Sequence, residues 1–262
     1  MGNQPCSRRN KYDDSDDQCI SRYLHSTKVV QSYGELKAVT ESKTIYRTLL
    51  ETKLRAKRNS NDSSSMKAYM KGEFDFIGVK SNARKLALRE CISELGVPKD
   101  SEFNAVIKEM WMSPYREVHY CAQELVERKK WWRQEESIIL IEHLIRNNQW
   151  WDSIDFIAAT LVGSYFKCHG VDKTRIRSWN QENDIWVVRT SILFQLKYKN
   201  EVDLPFLSEL ILPHLESQEF FIQKAIGWIL RQVSKSNPDF VRGFMSEHLL
   251  KPTSHREAIK YI

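Results

Sequence analysis

A short segment near the middle of the sequence combines side chains that could do chemistry. Asn148 is a suitable N-cap residue, and the pattern after it predicts a helix on which Trp151 and Asp155 lie one turn apart on the same face. An indole face attracts cations, and a positioned carboxylate stabilises a developing positive charge. The alternative for a tryptophan at helical spacing is burial in the core, which we assign to Trp150.

Two further segments combine a tryptophan with an arginine in place of the carboxylate. Trp186 and Arg189 are three residues apart on a predicted helix, and so are Trp228 and Arg231. Together with the first pair, they would offer indole, carboxylate and guanidinium groups toward one side. A carboxylate on a face that is otherwise basic repels phosphate, so we infer a role for the negative charge of Asp155 itself.

The helices that carry these residues recur at a fixed interval. Apolar and small residues occupy similar offsets in five segments whose starts are 35 residues apart, namely Asn82, Glu117, Asp152, Val187 and Ile222. Each segment follows another helical pattern, so the unit is a helix pair repeated five or six times. Such pairs cannot bury their apolar faces alone, and they stack into a curved solenoid. We therefore predict an all-α, HEAT-like repeat fold, with a helical bundle of accidental periodicity as the alternative.

Composition agrees with this fold and excludes other classes. Nine glycines and seven prolines in 262 residues are few for an all-β protein. No apolar run approaches the roughly 18 residues that a membrane span needs, and the 41% of hydrophobic residues suffice for a core. Residues 1–28, which include the acidic run Asp13–Asp17, are predicted to form a disordered polar tail. Residues 29–262 would then form a single domain, with a polar linker at residues 59–65.

Cysteine and histidine patterns give no sign of a disulfide framework or a metal site. The five cysteines are odd in number and at least 13 residues apart, and no pair has zinc-ligand spacing. The N-terminal segment has no apolar leader, and Cys6 stands where a myristoylation motif has Ser or Thr. We expect a reduced intracellular protein without metal or cofactor, cytoplasmic in a prokaryote or nuclear and cytoplasmic in a eukaryote.

Basic residues are prominent on the second helices of the repeats. Lys and Arg outnumber Asp and Glu by 40 to 34, a net charge of +6. The second helices line the concave side of a solenoid, and here they carry Arg84, Lys85, His119, Asp155, Arg189, Lys224 and Arg231. A concave basic groove fits a rod of phosphate charge. Ordinary solvated helix faces are the alternative.

The same residues carry a resemblance to a known family. The segments MKAYMKGEFDFIGVK (66–80), WWDSIDFIA (150–158), IWVVRTSILFQLKYK (185–199) and FFIQKAIGWILRQVSK (220–235) resemble those of the AlkD-like DNA alkylation repair proteins. Members of this family are DNA glycosylases built from HEAT-like repeats, and the resemblance covers roughly residues 30–262. It implies hydrolysis of the N-glycosidic bond of N3- and N7-alkylated purines, such as 3-methyladenine and 7-methylguanine, in duplex DNA. It also implies that the base is not flipped into a pocket.

Residue roles follow from the resemblance, position by position. Asp155 resembles the family's catalytic carboxylate, and Arg189 resembles an arginine beside the backbone of the damaged nucleotide. Trp151 and Trp228 resemble the aromatic pair that packs around the deoxyribose, and Tyr69 resembles a further aromatic on the lesion side. The candidate DNA-binding cations are Arg231, Lys224, Arg84 and Lys85.

The implied chemistry agrees with a single carboxylate. An N-alkylated purine is cationic and leaves as a neutral base, so no general acid is required. The sugar becomes oxocarbenium-like, and an aligned anion stabilises it and can orient or deprotonate water. We assign Asp152, three residues before Asp155, to the first helical turn, where it faces the helix dipole. No lysine is identified as a Schiff-base nucleophile, so we expect a monofunctional enzyme without lyase activity. We also expect the protein to act as a monomer.

Two other functions stay open at this level. A non-catalytic HEAT-like protein that binds DNA or RNA would have the same fold and charge, although Asp155 between Trp151 and Trp228 disfavours it. A protein-binding HEAT scaffold would have a neutral or acidic concave face. It ranks last because the sequence predicts a basic one.

Overall fold

Helices make up nearly all the regular structure in residues 43–262, the part of the chain that the structure, a computed structural model, describes. The predicted tail at residues 1–28 and the start of the domain at residue 29 lie outside the described residues. The helices are α1 (43–55), α2 (Ser60–Tyr69), α3 (Ser81–Leu95), α4 (Asp100–Trp111), α5 (Arg116–Lys129), α6 (Ser137–Arg146), α7 (Trp151–Phe156), α8 (Gly163–His169), α9 (Lys173–Asn180), α10 (Ile185–Leu193), α11 (Leu204–Ile211), α12 (Phe220–Ser234), α13 (Pro238–Glu247) and α14 (Pro252–Ala258).

The second helices of the repeats lie where the 35-residue interval predicts them. Helices α3, α5, α7, α10 and α12 begin at residues 81, 116, 151, 185 and 220, each one or two residues before the predicted start. A π-helical segment, Ile157–Val162, joins α7 to α8 without a break. Residues 43–262 contain no β-strand, and their one β-bridge pairs Asp75 with Tyr115. The prediction of an all-α helical repeat fold is confirmed.

Apolar residues at helical spacing build the core. On α12 the buried positions follow i, i+3, i+4 and i+7 periodicity and are Ile222, Ala225, Ile226, Ile229, Leu230 and Val233. One buried cluster extends from α1 to α11, and a second joins α10 and α12 to α13 and α14. The two clusters share the continuous α7–α8 helix and α10, because neighbouring repeats bury one another's apolar faces.

The prediction of a polar linker at residues 59–65 is wrong. These residues belong to α2, whose N-cap residue Asn59 accepts a hydrogen bond from the backbone N–H of Asn61 at 3.1 Å. The hydroxyl of Ser63 donates to the carbonyl oxygen of Phe76 at 2.6 Å. No residue of α2 is buried, so the segment has no apolar stripe by which the sequence could identify it as a helix.

A backbone hydrogen bond joins the two ends of the segment that contains α2, residues 59–78. The backbone N–H of Asn59 donates to the carbonyl oxygen of Gly78 at 3.0 Å, and Gly78 has a φ of +95°. A Cβ on Gly78 would lie 2.3 Å from the carbonyl oxygen of Asn59, so this close approach requires glycine. The buried carboxylate of Glu117 accepts hydrogen bonds from the N–H groups of Ile77, Gly78 and Val79 at 2.8–3.1 Å. These contacts fix α2, with Tyr69 as its last residue, against α5.

Candidate functional site

The turn before α7 determines where Trp151 and Asp155 lie. Asn148 has a left-handed backbone (φ +50°), and its side-chain amide donates to the carbonyl oxygen of Trp111 at 2.6 Å. Helix α7 begins at Trp151, its N-cap residue is Trp150, and no side chain caps it. The prediction that Asn148 caps this helix is therefore wrong, because its amide binds the end of α4 instead.

A fully buried arginine on α5 holds this turn in place. The guanidinium of Arg116 donates to both carboxylate oxygens of Asp152 at 2.7 and 3.0 Å, to the carbonyl oxygen of Asn148 at 2.7 Å and to Ser153 Oγ at 2.7 Å. The ring of Phe74 lies 3.8 Å from its Cζ atom. Asp152 lies in the first turn of α7 as predicted, and its main partner is the Arg116 side chain.

Asp155 and Arg189 form a two-bond ion pair between α7 and α10. Arg189 Nε donates to Asp155 Oδ1 at 2.7 Å, and Arg189 Nη2 donates to Oδ2 at 3.0 Å. The third guanidinium nitrogen, Nη1, donates to the carbonyl oxygen of Phe221 at the start of α12. The Arg189 side chain is 4% exposed and that of Asp155 is 18% exposed. This arrangement fixes the orientation of the carboxylate and leaves part of it accessible to solvent.

The environment of Asp155 alters its acidity. Burial raises the pKa of Asp155 above its ordinary value, and the hydrogen bonds from Arg189 partly oppose this shift. A poorly solvated carboxylate interacts more strongly with a nearby positive charge than a hydrated one does. Asp155 can therefore exert a strong electrostatic effect on a cation beside it.

A cleft of about 580 Å³ adjoins this ion pair. It is lined by Tyr69, Lys71, Trp150, Trp151, Arg189, Phe220, Phe221, Lys224, Trp228, Arg231 and Glu257. Tyr69 and Trp151 meet edge to face with their ring centroids 5.7 Å apart, and the Tyr69 side chain is largely exposed. Asp155 is not among the lining residues, whereas its partner Arg189 is. The structure thus brings Tyr69, Trp151, Arg189 and Trp228 to one cleft, and Asp155 is linked to this cleft through its ion pair with Arg189.

Two tryptophans differ from their predicted positions. Trp186 is 8% exposed and contacts Trp150 and Phe221 at centroid distances of 5.4 and 4.8 Å, so it does not present an indole face to solvent. Trp150, which we assigned to the core, is only partly buried and also lines the cleft. Trp150, Trp186 and Phe221 thus pack against one another, and two of them, Trp150 and Phe221, line the cleft.

Phe220 and Phe221 also line the cleft, although neither is a predicted site residue. They lie 70 residues, or two repeats, after Trp150 and Trp151. Trp186 is the equivalent residue in the intervening repeat, 35 residues after Trp151. An aromatic residue therefore occupies the same repeat position, the first or second residue, in each of these three second helices. The 35-residue spacing of Trp151, Trp186 and Phe221 was therefore a signal in the sequence for this cluster of aromatic residues.

The predicted DNA-binding cations separate into two groups. Lys224 and Arg231 line the cleft together with Arg189, the arginine predicted to lie beside the damaged nucleotide. Arg84 does not line it, since its guanidinium pairs with Glu124 and lies over the ring of Tyr120 at 4.7 Å. Lys85 is exposed on α3, also outside the cleft.

His119 does not contribute a charge to any groove. The side chain is 1% exposed, and its Nε2 lies 2.8 Å from the carbonyl oxygen of Ser113. Burial, together with the adjacent Arg116, lowers the pKa of His119 to about 3, so the ring is neutral at physiological pH. The expectation that it lies on a concave surface is wrong because the ring packs inward against Trp111, at a centroid distance of 5.0 Å.

Within the described residues, no group of three or more His, Cys, Asp or Glu side chains could hold a metal ion. Cys91 and Cys121 are buried free thiols, and Cys168 is an exposed one.

No helix in residues 43–262 combines the length and the hydropathy needed to cross a membrane.

Comparison with known proteins places the chain in a family. Residues 50–262 match the family model described as DNA alkylation repair enzyme. A structure described as a predicted DNA alkylation repair enzyme from Enterococcus faecalis is similar with a TM-score of 0.71 and 28% identity, over 79% of this chain and 97% of the other. The crystal structure of AlkD2 from Streptococcus mutans, at 18% identity and a TM-score of 0.54, covers 75% of this chain and 99% of its own and supports the fold alone.

The comparison with curated proteins found no match. The matched segment nevertheless includes every residue that lines the cleft, together with Asp155. Since the family model covers well over half of the sequence, the chain belongs to the DNA alkylation repair enzyme family.

Proposed function

We propose that this protein is a monofunctional DNA glycosylase that hydrolyses the N-glycosidic bond of N3- and N7-alkylated purines, such as 3-methyladenine and 7-methylguanine, in duplex DNA. The observation that carries the proposal is the Asp155–Arg189 ion pair, whose arginine lines a cleft edged by Trp151 and Trp228. Asp155 is the proposed catalytic carboxylate, and the two indoles and Tyr69 are proposed to contact the damaged nucleotide.

The proposed reaction requires stabilisation of positive charge. When the C1′–N bond breaks, its electron pair neutralises the cationic purine, and the sugar becomes an oxocarbenium-like cation. Asp155 would stabilise that cation by charge and would orient the water that adds to C1′, whose proton passes to the carboxylate or to solvent. The indole faces of Trp151 and Trp228 would attract the same cationic groups. This reaction needs no base-binding pocket.

Charge in the cleft supports binding to the DNA backbone. Lys71, Arg189, Lys224 and Arg231 all line it, and among residues 43–262 Glu257 is the one acidic residue that does so. We propose Arg231 and Lys224 as phosphate contacts inside the cleft, and Arg84 and Lys85 as contacts to flanking DNA. We also propose that residues 29–262 form one glycosylase domain that acts as a monomer inside the cell.

A base-release assay on methylated duplex DNA tests the catalytic role. Asp155→Asn should lower the single-turnover rate of base release by two to three orders of magnitude, roughly the effect of removing one aligned electrostatic group. Glu182→Gln is a matched control, because Glu182 also accepts two hydrogen bonds from an arginine, Arg146, at 2.8 Å each, outside the cleft. Base release by Asp155→Asn at the rate of Glu182→Gln would refute the assignment.

A second function, DNA binding without base excision, is favoured by one observation. Both carboxylate oxygens of Asp155 are bound to Arg189, and the carboxylate does not line the cleft. In that case the wild-type protein would bind duplex DNA with a steep salt dependence but would release no methylated base. Measuring both quantities on the same preparation distinguishes the two functions.

A further inference from the structure

A single carboxylate from the C-terminal helix lies among the cations of the cleft. Glu257 on α14 accepts hydrogen bonds from Lys224 Nζ at 2.9 Å, from Arg231 Nη1 at 2.6 Å and from Lys260 Nζ at 2.9 Å. Lys224 and Arg231 lie on α12, so the carboxylate bridges the two helices. Glu257, Lys224 and Arg231 all line the cleft.

The packing of α14 against α12 fixes this carboxylate. A Cβ on Gly227 would lie 2.6 Å from the Cβ of Glu257, so only glycine lets the two helices approach this closely. The hydroxyl of Ser254 donates to the carbonyl oxygen of Gln223 at 2.9 Å, one turn before Gly227. Glu257 is largely buried. Its carboxylate is thus held between the cations by the backbone packing of two helices, unlike a freely rotating surface glutamate.

The cations around Glu257 remain open to a ligand. The side chains of Lys224, Arg231 and Lys260 are 39%, 26% and 46% exposed, whereas that of Glu257 is 12% exposed. Three positive charges surround one negative charge, which leaves a local net charge of +2. Two oxygens that accept from a lysine and an arginine at 2.6–2.9 Å reproduce the contacts of a backbone phosphate with the same side chains.

We propose that Glu257 is a resident counterion of the cleft: its carboxylate occupies the position between Lys224 and Arg231 that a DNA phosphate would otherwise take, and it thereby weakens binding to undamaged duplex DNA. The inference rests on the proposed function only in taking duplex DNA as the ligand. A phosphate that approaches this end of the cleft must share its cations with Glu257 and meets its negative charge. The consequence is weaker retention of duplex DNA at this end of the cleft.

Binding of undamaged duplex DNA to the full-length protein tests this inference. Glu257→Gln removes the charge and keeps the shape, so we expect affinity at about 50 mM salt to increase roughly three- to tenfold, and the slope of log Kd against log salt concentration to steepen by about 0.9, the value for one added phosphate contact. The control is Glu209→Gln, which removes one carboxylate from a two-bond pair with Arg177 outside the cleft and changes the net charge equally. Unchanged or weaker binding by Glu257→Gln relative to Glu209→Gln would overturn the inference.

A second pair of variants separates the charge of Glu257 from its effect on the position of Arg231. Arg231→Gln is compared with the double variant Arg231→Gln/Glu257→Gln. If Glu257 acts as a counterion, the double variant binds more tightly than Arg231→Gln, because Lys224 stays paired with Glu257 in Arg231→Gln and is released only in the double variant. Equal affinities would mean that Glu257 only orients Arg231, and the inference would fail. If the wild-type protein does not bind duplex DNA at all, the proposed function and this inference fail together.

Discussion

Gly227 on α12 lies so close to Glu257 on α14 that a Cβ at the glycine position would be 2.6 Å from the Glu257 Cβ and 2.7 Å from the carbonyl oxygen of Ser254. Gly227 is helical, so the close approach of α14, and not an unusual φ angle, requires glycine here. The position of a cleft-lining carboxylate therefore depends on the absence of one methyl group on the neighbouring helix.

The first prediction concerns this contact. Gly227→Ala should lower the free energy of unfolding by about 1–3 kcal/mol, because the added methyl meets the Ser254 backbone, which cannot move without displacing α14. Urea denaturation monitored by far-ultraviolet circular dichroism measures the change.

Gly243 provides the control for this substitution. It lies in α13, and a Cβ there would meet nothing within 4 Å. Gly243→Ala should therefore be neutral or stabilise the protein by up to about 1 kcal/mol, because alanine has the higher helix propensity. Equal effects of the two substitutions would show that the contact between α12 and α14 does not limit stability.

The repeat architecture could be predicted from the sequence because it depends on apolar spacing alone. The starts predicted at Asn82, Glu117 and Asp152 agree with the observed helices to within one residue. The 35-residue interval also marks equivalent positions, which explains why Trp151 and Phe221, two repeats apart, line the same cleft. Helix α2 could not be predicted in this way because none of its residues is buried.

Charge pairing is the part of the site that helical spacing within one segment could not reveal. The partners of Asp155 and Asp152, Arg189 and Arg116, are 34 and 36 residues away in the sequence. Both distances are close to one repeat, so the pairs join neighbouring second helices. Glu257 illustrates a further limit, because its role depends on how closely α14 approaches α12. That distance is set by three-dimensional packing.

A second prediction follows from the acidity of Glu257. Hydrogen bonds from Lys260 and Lys224 lower the pKa of Glu257 to about 2, below its ordinary value of 4.5. Because the folded-state pKa is the lower one, the unfolded chain binds this proton more readily. The stability that Glu257 contributes is therefore fully present above about pH 4.5 and is lost as the pH falls toward 2.

The measurement compares the free energy of unfolding of the wild type and Glu257→Gln between about pH 6 and pH 3. The difference between the two proteins should be largest at the higher pH and should decrease on acidification, because glutamine does not titrate. A difference that stays constant over this range would contradict the lowered pKa.

The last prediction concerns the buried Arg116, which joins α5 to the turn that carries Trp151. Arg116→Met leaves the carboxylate of Asp152, whose side chain is 7% exposed, without its two hydrogen bonds from the guanidinium. Removing one partner of a buried ion pair typically costs about 3–5 kcal/mol, so we expect a loss of stability on that scale. Urea denaturation of the purified variant measures it.

Arg146→Met is the matched control for this substitution. Arg146 also forms two hydrogen bonds with a carboxylate, that of Glu182, but the two side chains are 42% and 28% exposed. Water can solvate the glutamate that remains, and exposed pairs contribute about 0–1 kcal/mol, so this variant should be nearly as stable as the wild type. If both variants lose the same stability, burial of the Arg116–Asp152 pair is not what makes it strong. If only Arg116→Met is destabilised, burial is what makes the pair that joins α5 to the first turn of α7 contribute more to stability than the exposed pair.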